Sequence, residues 1–217
     1  AVLDRLSVSQ IDREHLTVLL PPSEIEQAEK EDQNSELAAV VQGRATIVTH
    51  QPSDQTQLGH LGINPYRYPV YLNRALIDAD AVILLGQAQL ESALGFHGLQ
   101  AALYPTYADG PVLRRVRAPK AVLPGDEGDE RIRSEVEAIN QQLGVRFTVQ
   151  VVPGLGDDIM HVLSGDIDAV TAEAKRLCEQ TWQFEVPQRA SLVVATITGP
   201  PAQHTWENLG QALANAM

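Results

Sequence analysis

The sequence predicts an α/β protein: a mixed-sheet domain with flanking helices over residues 1–187, followed by the start of a second α/β unit over residues 188–217. Three observations predict it. Short apolar runs rich in branched residues, such as residues 81–85 (AVILL) and 191–197 (SLVVATI), have strand length and lie beside glycine or proline. Longer stretches carry apolar residues at helical spacing, with Ile132, Val136, Ile139 and Leu143 as the cleanest case. Pro187-Gln188-Arg189 then breaks the pattern as a polar, proline-bearing linker between the two parts.

Composition bounds what such a chain can do. With 217 residues, 44% hydrophobic and 20% charged, it can bury a normal core. A net charge of −12 argues against non-specific nucleic-acid or anionic-membrane binding, because either needs a basic face. The lone cysteine, Cys178, excludes an internal disulfide and any all-cysteine metal site. No run approaches the ~18 apolar residues of a membrane span, and the amino end lacks a signal pattern, so the cytoplasm is the expected location.

Taken in order, residues 1–6 read as the last turns of a helix whose start is missing, and residues 16–20 as a buried strand closed by Pro21-Pro22. Ser23 and Glu26 have the spacing of a capping box. Residues 24–42 are polar through an acidic middle and gain an apolar face only at Leu37, Val40 and Val41. That acidic run is expected as a solvated face or a mobile loop rather than a metal site, since nothing fixes its carboxylates in a coordination geometry. Residues 45–50 form the next strand, ending in His50, which is read as a structural histidine. Residues 58–62 and 68–72 flank Asn64-Pro65 as a hairpin.

Residues 81–85 then read as a strand buried on both faces, ending in Gly86. In open α/β sheets ligands bind beyond the carboxyl ends of strands, so the following loop, residues 87–98, falls where a site is expected. Gly95 and Gly98 bracket Phe96-His97 and permit close backbone approach, before a helical segment including residues 99–104. Arg114, Arg115 and Arg117 form a basic cluster in an acidic chain. They could hold a carboxylate bidentately, or simply pair with surface acids. Residues 129–143 are an amphipathic helix ended by Gly144, and residues 146–152 and 158–163 form a hairpin around a glycine-rich connection. Gly154-Leu155-Gly156 is not a dinucleotide fingerprint, because Ile159 stands at the third glycine position and Asp157 and Asp158 would repel a pyrophosphate. Residues 166–181 are a further helix, with Ile167, Val170, Ala174 and Leu177 inward and Cys178 as a small hydrophobe on the packed edge. Residues 191–197 are expected as a buried strand before Gly199-Pro200-Pro201.

The stretch from Tyr71 to Pro105 resembles the nickel-dependent lactate racemase family. That family has Glu-Pro-His after a strand, then Gly-Phe-Ser-Gly-Gly and a lysine. Setting its Gly-Phe on Gly95-Phe96 puts Gln89-Leu90-Glu91 on the Glu-Pro-His and His97-Gly98-Leu99 on the Ser-Gly-Gly. The resemblance implies a hydride exchange between a 2-hydroxy acid and a lysine-tethered nickel-pincer nucleotide, with histidines handling the hydroxyl proton. At the matched positions those groups are replaced: Ile25 or a neighbour stands for a catalytic histidine, Glu91 for the Glu-Pro-His histidine, and Ala101 for the tethering lysine. Arg117 stands for a nickel-ligating histidine and Ala202 for a second-domain lysine. No cofactor and no metal are therefore expected.

Three readings follow. The first is a 2-hydroxy-acid isomerase with a rebuilt site, in which Glu91 is the base, His97 assists it, and Arg114 or Arg117 holds the substrate carboxylate. Gln89, Gly95 and Gly98 would then line the ligand. The second is a small-anion binding or regulatory module that has lost catalysis. The third is a part that gains its site from segments beyond both ends. A small anion such as a 2-hydroxy acid is the expected partner, homo-oligomerisation is compatible with it, and nucleic acid and membrane are not expected. Against all three stands a plain surface loop at residues 87–98.

Overall fold

In the computed structural model, residues 2–9, 11–22, 37–41, 43–88, 99, 103–117, 127–154, 158–182, 187–188, 190–194, 196, 209 and 212 are described. The chain divides into two compact units, Ala1–Ala79 with Pro105–Pro119, and Asp80–Tyr104 with Lys120–Met217.

The first unit opens with helix α1 (Val2–Val8), whose Asp4 pairs with Arg44. Strands β1 (Thr17–Leu20) and β2 (Thr46–Thr49) pair in parallel, Thr17 opposite Thr46. Residues 37–41 are helical, with Val41 turned inward and Val40 64% exposed, so only one of the two valines packs. Strands β3 (Leu58–Ile63) and β4 (Pro69–Asn73) form the expected antiparallel hairpin. Asn64 makes the turn: its side-chain oxygen accepts from the Tyr66 and Tyr68 amides at 3.0 and 2.8 Å, which lets Arg67 adopt a φ of 66°. One face of β4 is core, Val70 and Leu72 being buried, and the other carries exposed Tyr71. Short helix α2 (Arg74–Ile77) follows directly, and α3 (Gly110–Arg117) buries Val112 and Leu113.

The second unit holds the mixed sheet that the sequence predicts. Its strand order is β5 (Ile83–Gln87), β6 (Phe147–Pro153), β7 (Ile159–Asp166), parallel between β5 and β6 and antiparallel between β6 and β7. Helix α4 (Glu127–Leu143) buries Val136 and Ile139, and α5 (Ile167–Trp182) buries Ile167, Val170, Ala174 and Cys178. Asp166 caps α5 by accepting from the amides of Asp168 and Ala169. Register sets the faces. Leu84, Thr148, Gln150 and Val152 lie on the side that α5 covers, where Val152, Ala88, Ala174 and Cys178 cluster. Cys178 thus packs as a small hydrophobe, and burial raises its thiol pKa, with the Glu179 charge adding to the shift.

Two expected strands differ. The sequence predicts residues 81–85 as buried on both faces, but β5 starts at Ile83, pairs among the described residues only with β6, and leaves Leu85 59% exposed. A helix covers one face of this sheet, so the branched run alternates in burial instead of being uniformly buried. Residues 191–197 are not a strand where they are described: no ladder pairs them, and Leu192 and Val194 are exposed. An apolar run becomes a buried strand only when a neighbouring strand takes its backbone hydrogen bonds. The expected boundary at Pro187-Gln188 lies among few described residues. No helix among the described residues is long and apolar enough to cross a membrane.

Candidate functional site

The parallel pair β1–β2 ends at Leu20 and Thr49, and the backbone of His50 continues the ladder by donating to Leu20 O at 3.0 Å. His50 is 1% exposed and sits at the centre of a polar network. Asn73 is the N-cap of α2, its Oδ1 accepting from the Ala75 amide at 3.0 Å. That bond fixes the amide orientation, so Nδ2 is the group facing His50 Nδ1 at 3.0 Å and Gln57 Oε1 at 3.3 Å. Nδ1 must therefore accept. The proton lies on Nε2, which donates to Ala108 O at 2.9 Å. The Tyr107 ring meets His50 edge-on at 5.8 Å, and its hydroxyl donates to Leu19 O at 3.2 Å. Burial pushes the Tyr107 pKa up to about 12.

Both nitrogens of His50 are thus occupied by partners that do not titrate. The imidazole is a neutral tie among β2, the start of α2 and the 105–108 turn, in keeping with its structural reading. Burial holds its pKa below the usual 6.5, against the opposing effect of the Ala108 bond. The native state therefore favours the neutral ring. Its contribution to stability is complete above the unfolded value of 6.5 and is lost as pH falls from there toward the lower folded value. Urea unfolding at pH 7.5 and 5.5 is expected to show lower stability in acid, and His50→Gln should reduce that difference. An unchanged difference in the variant would contradict the assignment.

Just past this strand end, Gly110 opens α3 and donates to Pro52 O at 3.1 Å. The exposed Arg114 side chain folds back over Gly110, where an added Cβ would lie 3.2 Å from its Nη1. Arg115 turns instead over the Tyr68 ring, its guanidinium carbon 6.0 Å from the centroid. Arg117 lies in the last turn of the same helix. Arg114 accordingly lies near the carboxyl end of β2, a place where α/β proteins bind ligands.

Of the other residues read as a site, Glu91, His97, Gln89, Gly95 and Gly98 lie outside the described residues, as does Ala101. The edges of that loop are described. Ala88 is fully buried and its amide donates to Val151 O at 2.8 Å. Leu99 packs where Gly86 has no side chain, a Cβ there falling 2.5 Å from Leu99 Cδ2. Leu103 and Tyr104 are buried, and the Tyr104 hydroxyl donates to the Glu135 carboxylate. The network around Asn73, Gln57 and Ala108 is not evident from sequence pattern alone. Its available signal was Asn73 directly before an apolar helical turn, the position of a cap.

Among the described residues no three His, Cys, Asp or Glu side chains gather as a metal site.

The parallel strand pairs with flanking helices define an α/β protein. A family model of the lactate racemase N-terminal domain matches residues 1–113, just over half of the chain, and the protein belongs to that family. Its fold is similar to the lactate racemase apoprotein from Thermoanaerobacterium thermosaccharolyticum, with a TM-score of 0.60 at 13% identity over 76% of this chain and 41% of that one. It is also similar to the crystal structure of a protein from Thermotoga maritima, with a TM-score of 0.56 at 15% identity over 82% of this chain and 49% of that one. At these identities the likeness is one of fold, and the chain spans less than half the length of either protein. No curated protein matches it.

Proposed function

We propose that this protein recognises a small 2-hydroxy acid, as a racemase or epimerase whose site has been rebuilt. Membership of the lactate racemase N-terminal family over residues 1–113 carries the reading, because lactate, named in the family's description, is a 2-hydroxy acid. The arginine cluster supports it chemically. Arg114 is exposed at a strand-end position, and a guanidinium fits a carboxylate with two parallel hydrogen bonds. Arg117 is the second cation proposed for the ligand, and Gln89, Gly95 and Gly98 its loop contacts. Glu91 is the proposed base and His97 its assistant, a carboxylate and an imidazole being able to remove and return a proton. No nickel-pincer nucleotide is proposed, given alanine at the tether position.

A second reading keeps the binding and drops the chemistry. It is favoured by Ala101 and Arg117, which remove the family's tether and ligand together. One pair of measurements separates the two. Incubation with L-lactate in D2O, followed by chiral analysis, reads deuterium at the α-carbon and the opposite enantiomer if the protein is an isomerase. Calorimetric binding without exchange assigns it as a binding module. Arg117→Ala is expected to weaken that binding by about 2 kcal/mol or more, the loss of a desolvated charge partner. Absence of both exchange and binding of lactate or longer hydroxy acids at millimolar concentration would overturn both readings.

A further inference from the structure

Strand β7 runs for eight residues, Ile159–Asp166, and among the described residues it pairs with β6 alone. Two hydrogen bonds fix which of its backbone groups that pairing uses. Val151 O accepts from the Ala88 amide on the β5 side, so Val152, next along β6, turns its backbone groups toward His161 of β7. At the far end the Ile167 amide donates to Arg146 O and continues the same ladder. His161, Leu163 and Gly165 therefore bond to β6, and the N–H and C=O groups of Met160, Val162 and Ser164 point out from the edge of the sheet. The side chains of Met160 and Val162 are exposed, and register puts them on the same face as exposed Leu85 and Phe147, opposite the face that α5 covers. A solvated sheet face is normally polar, and an edge strand is normally blunted by lysine or proline. β7 contains no lysine, arginine or proline, and its only carboxylate is the terminal Asp166. With exposed Asp158 just before the strand, one acid stands at each end of an apolar edge.

We propose that the free edge of β7 is a docking site for an extended segment of a partner protein, apolar at alternate residues and basic at both ends. Main-chain hydrogen bonds to Met160, Val162 and Ser164 would hold it as a fourth strand, and alternate side chains would pack beside Met160 and Val162. Charge complementarity selects the partner. Basic residues about 26 Å apart along an extended segment meet Asp158 and Asp166, and opposite charges directly across a strand pair stabilise it. The net charge of −12 attracts a basic segment in the same sense. A second copy fits worse. Antiparallel pairing of two β7 strands over their full length places Val162 on the two-fold axis and sets Asp158 of each copy opposite Asp166 of the other, like charges at both ends. The edge is separate from the proposed hydroxy-acid site, because it uses none of the residues assigned to that ligand.

The test is fluorescence anisotropy of the full chain with a labelled peptide, Lys-Thr-Val-Thr-Val-Thr-Val-Thr-Lys, and with its counterpart ending in glutamate at both positions, at physiological salt. The lysine-ended peptide should bind, and the glutamate-ended one at least about fivefold more weakly. Val162→Pro removes an outward N–H that the β6–β7 ladder does not use, and is expected to weaken the lysine-ended peptide at least about tenfold with circular dichroism unchanged. Val162→Thr keeps that amide and should keep the binding. Asp158→Lys, at an exposed position, should abolish the preference between the two peptides, and this result does not depend on how proline is tolerated. Sedimentation of the chain alone should give a monomer. No binding of the lysine-ended peptide, equal binding of both peptides, a preference unchanged by Asp158→Lys, or a dimer that Val162→Pro dissociates would each overturn the proposal.

Discussion

Tyr104→Ala is expected to destabilise the protein by about 4 kcal/mol, the usual range for emptying a buried aromatic site. The ring is fully buried, so the cavity cannot be filled by a small shift of surface groups. Its hydroxyl donates to Glu135, itself 1% exposed, and a buried carboxylate that loses a donor pays part of its desolvation without return. Tyr104→Phe isolates that second contribution. It keeps the ring and removes the donor, and should cost about 1–2 kcal/mol. Urea unfolding of both variants reads the difference. A phenylalanine variant as stable as the unmodified protein would show that the hydroxyl bond is not a stabilising contact.

The second large effect belongs to Asn73. Asn73→Ala removes the α2 cap, worth about 1 kcal/mol, and leaves His50 Nδ1 without its donor in a buried site, a further cost of about 1–3 kcal/mol. A total near 3 kcal/mol is expected, again by urea unfolding at neutral pH. Asn73→Asp discriminates further. It keeps the capping oxygen but places a carboxylate against Nδ1, which favours the protonated ring. Its loss should therefore shrink as pH falls through the usual histidine value, opposite to the trend of the unmodified chain. The same trend in both would mean that Asn73 does not set the state of His50.

Much of this fold could be read from residue pattern because local and tertiary preferences agree there. Asn64-Pro65 punctuates two alternating strands, and β3–β4 forms around it. Ile132, Val136, Ile139 and Leu143 repeat at helical spacing, and α4 follows with Val136 and Ile139 buried. Where an apolar run lacks alternation, sequence cannot say which face is covered. Residues 81–85 and 191–197 are both rich in branched residues, yet one contributes an edge strand and the other is unpaired where described. Burial there depends on neighbours distant in the chain. The candidate site divides in the same way. The role of His50 was legible from its place at a strand end, but its partners Asn73, Gln57 and Ala108 come from separate stretches that only folding brings together.

This chain keeps a lactate racemase-type fold, and we propose that it does not carry the tethered cofactor that the family resemblance implies. Intact-mass spectrometry of the protein, after co-expression with enzymes that make the nickel-pincer nucleotide, tests this most directly. The account predicts the mass of the unmodified polypeptide, because Ala101 offers no amine at the tether position. A stoichiometric covalent adduct would contradict it.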